Sequence, residues 1–354
     1  MTKTVLITGA SGYVGAHVCE QLLVAGFNVR AVVRRGKIES LRRSFTSHSG
    51  RLEVAELHDL TKDDFSGVLE GVFAVVHVAV YFPAQNEEVE KMITGTVDAS
   101  MNIIKQAEAA GVKHIVVTGA VAAVMNPRGT FNHDDWNPIT KEAALSNTDW
   151  FTVYSAGKKY SELAIWEWAE AHPHVEVTVL ASPIVYGPWP SEFYMPDPNF
   201  GSSTIIMWHL LKPDGKFGQV MVPLYVDVRD LAKAHVLATT HSAPTSTVGR
   251  KRLVLVSPHA ADWTKAVNVI KERRPELADR VIKRNPPKFP PLFPVDFARV
   301  EEVLGMKLSD FRTFEETIID SVDNCVRLEK EWVGNGKEVN IPDIDPAITA
   351  PDSA

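Results

Sequence analysis

The feature that most constrains this chain is "TGASGYVG" (8–15), which follows the apolar run "TVLITGA" (4–10) and opens a helix-like stretch. Glycines at that spacing, placed between a strand and a helix, mark a dinucleotide-binding turn. Gly9 permits the turn, Gly12 lets a pyrophosphate reach the backbone, and Gly15 allows helix and strand to pack tightly. The backbone amides from Ser11 through Tyr13 and Val14 then face the anion at the helix start. An ordinary tight turn is the bland alternative.

Beyond the turn the chain keeps to the same architecture. Short apolar runs at 4–10, 28–34, 51–57, 73–79, 114–120 and 175–182 alternate with helix-like stretches near 13–25, 88–110 and 150–171. Such alternation predicts an α/β fold of the Rossmann type, a doubly wound parallel sheet with helices on both faces. Residues 1–182 are expected to form the dinucleotide-binding domain, with 225–257 returning to it. Residues 183–224 and 258–333 are expected to form a smaller C-terminal substrate lobe, and 334–354 an extended tail. The Pro-, Gly- and aromatic-rich stretch after Ser182 reads as functional loop.

Composition narrows the setting. A net charge of −7 with scattered Lys and Arg argues against a nucleic-acid surface. The only cysteines, Cys19 and Cys325, lack metal-ligand spacing and point to a reducing compartment. The apolar run 72–82 is too short to span a bilayer. Because the N-terminus enters a strand directly, without a signal-peptide pattern, a cytoplasmic protein with no membrane partner is the expectation.

Cofactor choice is read after the second strand. There the chain shows "VVRRGK", with Arg34, Arg35 and Lys37 and no carboxylate before Glu39. A guanidinium matches a 2′-phosphate, whereas an acidic residue would match a free 2′-hydroxyl, so NADP(H) is expected over NAD(H). A solvated basic loop is the alternative. Asp59, beside Leu60 in "HDL", suits an adenine amino group or equally an N-cap.

Chemistry enters at "YSAGK" (154–158). Tyr154 and Lys158 are one helical turn apart and share a face. An ammonium near a phenol favours phenolate and lowers its pKa from about 10, which makes the pair a general acid and base. Ser155, Ala156 and Gly157 keep the surface between them low. Tyr160 has only Ala164 four residues on and serves as the local decoy. A Tyr packed on a Lys stem is the structural alternative.

These segments together, with "VVHVAV" (75–80), "SPIVYGP" (182–188) and "YVDVRD" (225–230), resemble the extended short-chain dehydrogenase/reductase family and the NAD-dependent epimerase/dehydratase superfamily. Within it the chain is most similar to the dihydroflavonol 4-reductase and fungal aldehyde/ketone reductase branch, over residues 3 to 330. The resemblance implies that Val78, Ala79 and Val80 line the cofactor, that Pro183, Ile184 and Val185 flank the nicotinamide, and that Lys158 also holds the ribose. It implies an NADP(H)-dependent reductase of a small ketone or aldehyde, with Tyr154 as proton donor. Tyr81, Trp136, Phe193 and Tyr194 become candidate substrate contacts, and Met195, Trp208 and Tyr225 an apolar-substrate hint. Family members often form dimers, for which "IWEWAE" (165–170) is a candidate surface unless it is buried against the sheet.

One departure stands out. The family usually carries a Ser or Thr hydroxyl where this chain has Ala120, in "VVTGAVAAV" (116–124). Thr118, on the same strand face, water or a substrate hydroxyl are the expected substitutes. Two other readings stay open: an epimerase, dehydratase or isomerase, for which Arg273, Arg274, Arg280, Lys283 and Arg284 would hold a diphosphate, and a non-catalytic dinucleotide sensor. No metal site is expected, because "HPH" (172–174) and "HDD" (133–135) read as turn and polar loop.

Overall fold

Valine, isoleucine and leucine runs bounded by Gly and polar residues make strands that are buried on both faces, as Val5, Leu6 and Ile7 at zero exposure illustrate. In this computed structural model the described residues are 2–34, 36–81, 88–147, 149–194, 203–217, 224–287 and 294–344. Arg35, Met195 and tail residues 345–354 lie outside them. The strands are β1 (Thr4–Thr8), β2 (Asn28–Arg34), β3 (Leu52–Leu57), β4 (Val72–His77), β5 (His114–Ala120), β6 (Glu176–Ser182), β7 (Ile184–Tyr186), β8 (Tyr225–Asp227) and β9 (Lys251–Val254). Seven form one parallel sheet in the order β3-β2-β1-β4-β5-β6-β9. The order reverses between β1 and β4, and ligands of such sheets bind at that crevice.

Helices α1 (Tyr13–Val24), α2 (Val89–Ala109), α3 (Trp150–Ala171) and α4 (Val228–Thr240) cover the sheet. Val117 of β5 packs with Ile103 and Ile104 of α2 and with Ile165 of α3. The next residue, Thr118, faces the opposite way, as strand alternation requires, and bonds to His235 of α4. Helices therefore lie on both faces. Trp166 and Trp168 sit in the core with Val177 and Val179, so the "IWEWAE" tryptophans are buried against the sheet.

The chain divides into two compact units: Met1–Ser182 with Leu231–Leu255 and Pro294–Lys307, and Pro183–Asp230 with Val256–Phe293 and Leu308–Ala354. In the second, β7 pairs with β8, and Tyr186, Tyr225, Trp263 and Phe314 pack ring against ring. The motif "YVDVRD" is absorbed into its framework. Buried Asp227 accepts from Thr317 Oγ1 at 2.8 Å and from Arg229 at 2.7 Å, and Asp230 binds Arg312. Among the described residues no helix is long and apolar enough to cross a membrane.

One buried ion pair ties α3 to the far edge of the main sheet. Arg252 of β9 is fully buried and donates through Nε to Glu162 at 2.6 Å, while Trp166 Nε1 donates to the same carboxylate oxygen at 3.1 Å. Arg252 Nη1 donates to the carbonyls of His133 and Asp135, Nη2 reaches the second Glu162 oxygen at 3.4 Å, and the guanidinium carbon lies 3.8 Å from the centre of the Trp136 ring. Such a pair stabilises little by itself, but half of it alone is costly. Glu162→Ala is expected to lower the unfolding free energy by about 3–5 kcal/mol in urea titration, because Arg252 is left charged and buried. A loss below about 1 kcal/mol would mean that the carbonyls alone satisfy the guanidinium.

Candidate active site

The glycine turn is built by close approach. Gly9 adopts φ +78°, and a Cβ there would lie 2.8 Å from the Ala79 nitrogen. A Cβ on Gly15 would lie 2.1 Å from the Gly9 carbonyl oxygen, so only glycine lets α1 start this near the turn. Thr8 Oγ1 bonds His77 Nδ1 at 2.8 Å and accepts from the Ala79 amide at 3.3 Å, which locks the ends of β1 and β4 together. Gly9, Gly12, Gly15, Val78 and Ala79 are thus gathered at the point where strand order reverses. No side chain caps α1 and no acidic residue occupies its first turn. The amides of Tyr13 and Val14 suit an anion, and this cradle fits a dinucleotide pyrophosphate.

At the end of β2, Arg34 is exposed and Lys37 partly so. The first carboxylate beyond them, Glu39, is engaged by Arg43 at 3.3 Å. Among the described residues neither Arg34 nor Lys37 has a carboxylate partner, as a site for a phosphate dianion requires. Asp59 has other work: its Oδ1 accepts from the Thr61 amide at 2.9 Å and hydroxyl at 2.7 Å, and these bonds hold its carboxyl below the usual range. Leu60 packs on the sheet core.

Tyr154 stands at the start of α3, its ring stacked on Trp150 at 5.0 Å and 11°. Lys158 Nζ lies 6.0 Å from the Tyr154 ring centre. Both line a cleft of about 360 Å³ with Val80, Tyr81 and Thr96. Lys158 also lines an adjoining cleft of about 390 Å³ with His77, Ala79, Thr118 and Glu162. Tyr81 reaches this position by lying over Gly95 of α2, where a Cβ would come within 2.5 Å of its ring.

Two expectations are corrected by the site. Burial pushes the Tyr154 phenol up to about 12, while the Lys158 ammonium is itself brought down to about 8 by burial, with Glu162 pulling the other way. Desolvation sets the Tyr154 shift, so the phenol is held protonated and its pKa is not depressed. Of the small residues between them, Gly157 lines the cleft with Tyr154 and Lys158, whereas Ser155 and Ala156 do not. All three are buried, and a Cβ on Gly157 would come within 3.3 Å of Thr96 Oγ1, so they let α2 pack closely. Tyr160 does have a cation, Lys159 at 5.3 Å, but from the adjacent residue, and it packs on a small apolar cluster with Ile93 and Val153.

Thr118 is also redirected. His235 Nδ1 lies 2.8 Å from the Leu231 carbonyl, which only accepts, so Nδ1 carries the ring proton. Nε2 is then the acceptor for the Thr118 hydroxyl at 2.8 Å, and that proton is committed away from any substrate. Trp136 is stacked on Arg252 and packed against the core, so its ring face is occupied by protein.

Pro183, Ile184 and Val185 lie at β7 in the second unit, as do Phe193, buried against Trp189 at 4.8 Å, and Tyr194, 39% exposed. Tyr225 and Trp208 are buried there in aromatic stacks. Arg274 and Arg280, candidate diphosphate ligands, are paired with Asp323 and Glu329. The candidate metal histidines are likewise engaged, His133 with Asp296, His172 with the Trp168 carbonyl and His174 with Glu108.

Sequence reasoning missed Trp150, Glu162 and His235. Only the i, i+4 spacing of Trp150 and Glu162 from Tyr154 and Lys158 marked them.

Residues 5–249 match the model of the NAD dependent epimerase/dehydratase family. The chain is 35% identical over 249 residues to an uncharacterized oxidoreductase of Schizosaccharomyces pombe, covering 67% of this chain and 73% of that one. It is 30% identical over 286 residues to the ketoreductase adrE of Penicillium rubens, covering 77% and 81%. Its fold superposes on the yeast methylglyoxal/isovaleraldehyde reductase Gre2 in complex with NADPH, with TM-score 0.77 and 25% identity over 92% of this chain and 99% of that one.

Two buried histidines flank the site, and burial holds both neutral. His77 is lowered to about 3, with the Lys158 charge adding to the effect, and His235 to about 4. An unfolded histidine takes up its proton near pH 6.5, the folded one only far below, so stability is present above 6.5 and lost as pH falls towards 4. Each histidine should contribute a slope of up to about 1.4 kcal/mol per pH unit across that window. Urea unfolding at pH 7, 6, 5 and 4.5 measures it. His235→Asn should reduce the slope by up to about 1.4 kcal/mol per pH unit, and equal slopes in variant and parent would contradict the assignment.

Proposed function

This chain belongs to the NAD-dependent epimerase/dehydratase family, and from that footing we propose that it is an NADP(H)-dependent reductase of small ketones or aldehydes. The observation that carries the reading is the conjunction of a glycine cradle, Arg34 and Lys37 without a carboxylate partner among the described residues, and a protonated Tyr154 beside Lys158 in one cleft. The kinship with a fungal ketoreductase and with an NADPH-bound methylglyoxal/isovaleraldehyde reductase supports it. Arg34 and Lys37 would hold the 2′-phosphate, the amides at Tyr13 and Val14 the pyrophosphate, and Lys158 the nicotinamide ribose. When bound, the cofactor supplies the hydride. The first unit would serve the dinucleotide and the second the substrate.

The protein's own part is placement and proton supply. Tyr154 Oη donates its proton to the carbonyl oxygen as the carbonyl carbon is reduced, which yields an alcohol. A phenol held at about 12 keeps that proton at neutral pH until charge builds on the substrate oxygen. Lys158, charged below about pH 8, stabilises the phenolate left behind. The apolar walls around Tyr154, including Trp150, Met92 and Val153, favour an apolar or aromatic substituent on the carbonyl.

Two substitutions test the parts separately. Tyr154→Phe should reduce kcat for an aromatic aldehyde panel about 10²- to 10⁴-fold, with NADPH affinity unchanged. An undiminished rate would remove the phenol from the chemistry. Arg34→Ala should weaken NADPH binding about tenfold or more and leave NADH binding unaltered, as read by cofactor fluorescence titration. Equal loss for both cofactors would assign Arg34 a structural role.

A further inference from the structure

Reduction by Tyr154 and Lys158 leaves one donor to be found. A carbonyl oxygen gaining charge is best met by two donors, and Ala120 cannot be one. Thr118 is excluded as well, because its proton is committed to His235.

Strand register points to another hydroxyl. β5 and β6 are parallel, and Ala120 pairs directly with Ser182, the last residue of β6. In-register neighbours on adjacent strands lie about 4.8 Å apart and present their side chains to the same face. A hydroxyl at 182 therefore stands about one strand spacing from where a hydroxyl at 120 would stand, on the same face of the sheet, so it would meet a carbonyl oxygen placed nearer β6. The Ser182 side chain leans towards β5. Its Oγ donates to the Gly119 carbonyl, the residue before Ala120, and Gly119 lines the cleft that holds Lys158.

Two further features make this hydroxyl usable. The bond to Gly119 is long, 3.4 Å, so little is lost when the proton turns to a stronger acceptor. Pro183 comes next in the chain, and a residue before proline is held to extended conformations, which restricts the backbone from which the Ser182 side chain projects. Ser182 is half-buried, neither sealed from ligand nor lost to solvent.

Resting on the reductase reading, we propose that Ser182 is a catalytic residue of this chain, donating to the substrate carbonyl oxygen in place of the hydroxyl missing at Ala120. The donor has moved from the end of β5 to the facing end of β6. Tyr154 then transfers its proton while Ser182 keeps its own and only hydrogen-bonds the oxygen.

Ser182→Ala, Ala120→Ser and the double variant test this with two readouts. In NADPH-dependent reduction of an aromatic aldehyde, Ser182→Ala should lower kcat about 10²-fold with unchanged NADPH affinity, and the double variant should recover to within about tenfold of the parent. The second readout needs no turnover: the infrared carbonyl stretch of ¹³C-labelled acetophenone, with oxidised cofactor present. The band should lie at lower frequency in the parent, shift up in Ser182→Ala and return in the double variant. Unchanged kcat and an unmoved band in Ser182→Ala overturn the proposal. A parent that shows the band shift but reduces nothing keeps Ser182 as a carbonyl donor and defeats the reductase reading. Turnover that ignores Ser182 does the reverse.

Discussion

Close packing of α2 on α3 is the constraint on which the site depends. Gly157 sits against Thr96 and Gly95 beneath Tyr81, and at each contact a Cβ would intrude. The resulting approach of the two helices leaves both Tyr154 and Lys158 only partly exposed. It is this shared desolvation, and no direct ion–phenol contact, that sets their protonation: the phenol rises to about 12 and the ammonium falls to about 8. A phenol so held keeps its proton at neutral pH.

Around this pair the structure spends its buried polar groups on alignment. Thr8 and His77 pin β1 to β4 beside the glycine turn, Thr118 and His235 pin β5 to α4, and Glu162 with Arg252 pins α3 to β9. Each joins a strand of the sheet to the element next to it, so the crevice where strand order reverses is held from several sides. Hydrogen-bonded groups of this kind are costly to leave half satisfied, which makes them strong determinants of geometry even where they add little net stability.

The architecture was legible because its signals are local. The six strands read from apolar runs appear within about two residues of their expected ends, and Gly9 and Gly15 do what their spacing implied. The helix at 150–171 was recognisable from its apolar face and the small residues within it. What the sequence concealed is pairing over distance. Thr118 and His235 are 117 residues apart, Glu162 and Arg252 are 90 apart, and neither partner hints at the other in a linear reading. The same blindness hid the alignment of Ala120 with Ser182, since register depends on how β5 and β6 are brought together. The sign of the Tyr154 shift was missed for a related reason: spacing reveals that an ammonium is near but not how much water both groups lose.

The most direct measurement is transfer of label. Incubated with NADPH carrying deuterium at both nicotinamide C4 positions and with an aromatic aldehyde, the protein should yield an alcohol with one deuterium on its carbinol carbon for each NADPH consumed, with a single facial preference. A product that carries no deuterium, or one formed with no net loss of NADPH, would contradict hydride transfer at this site.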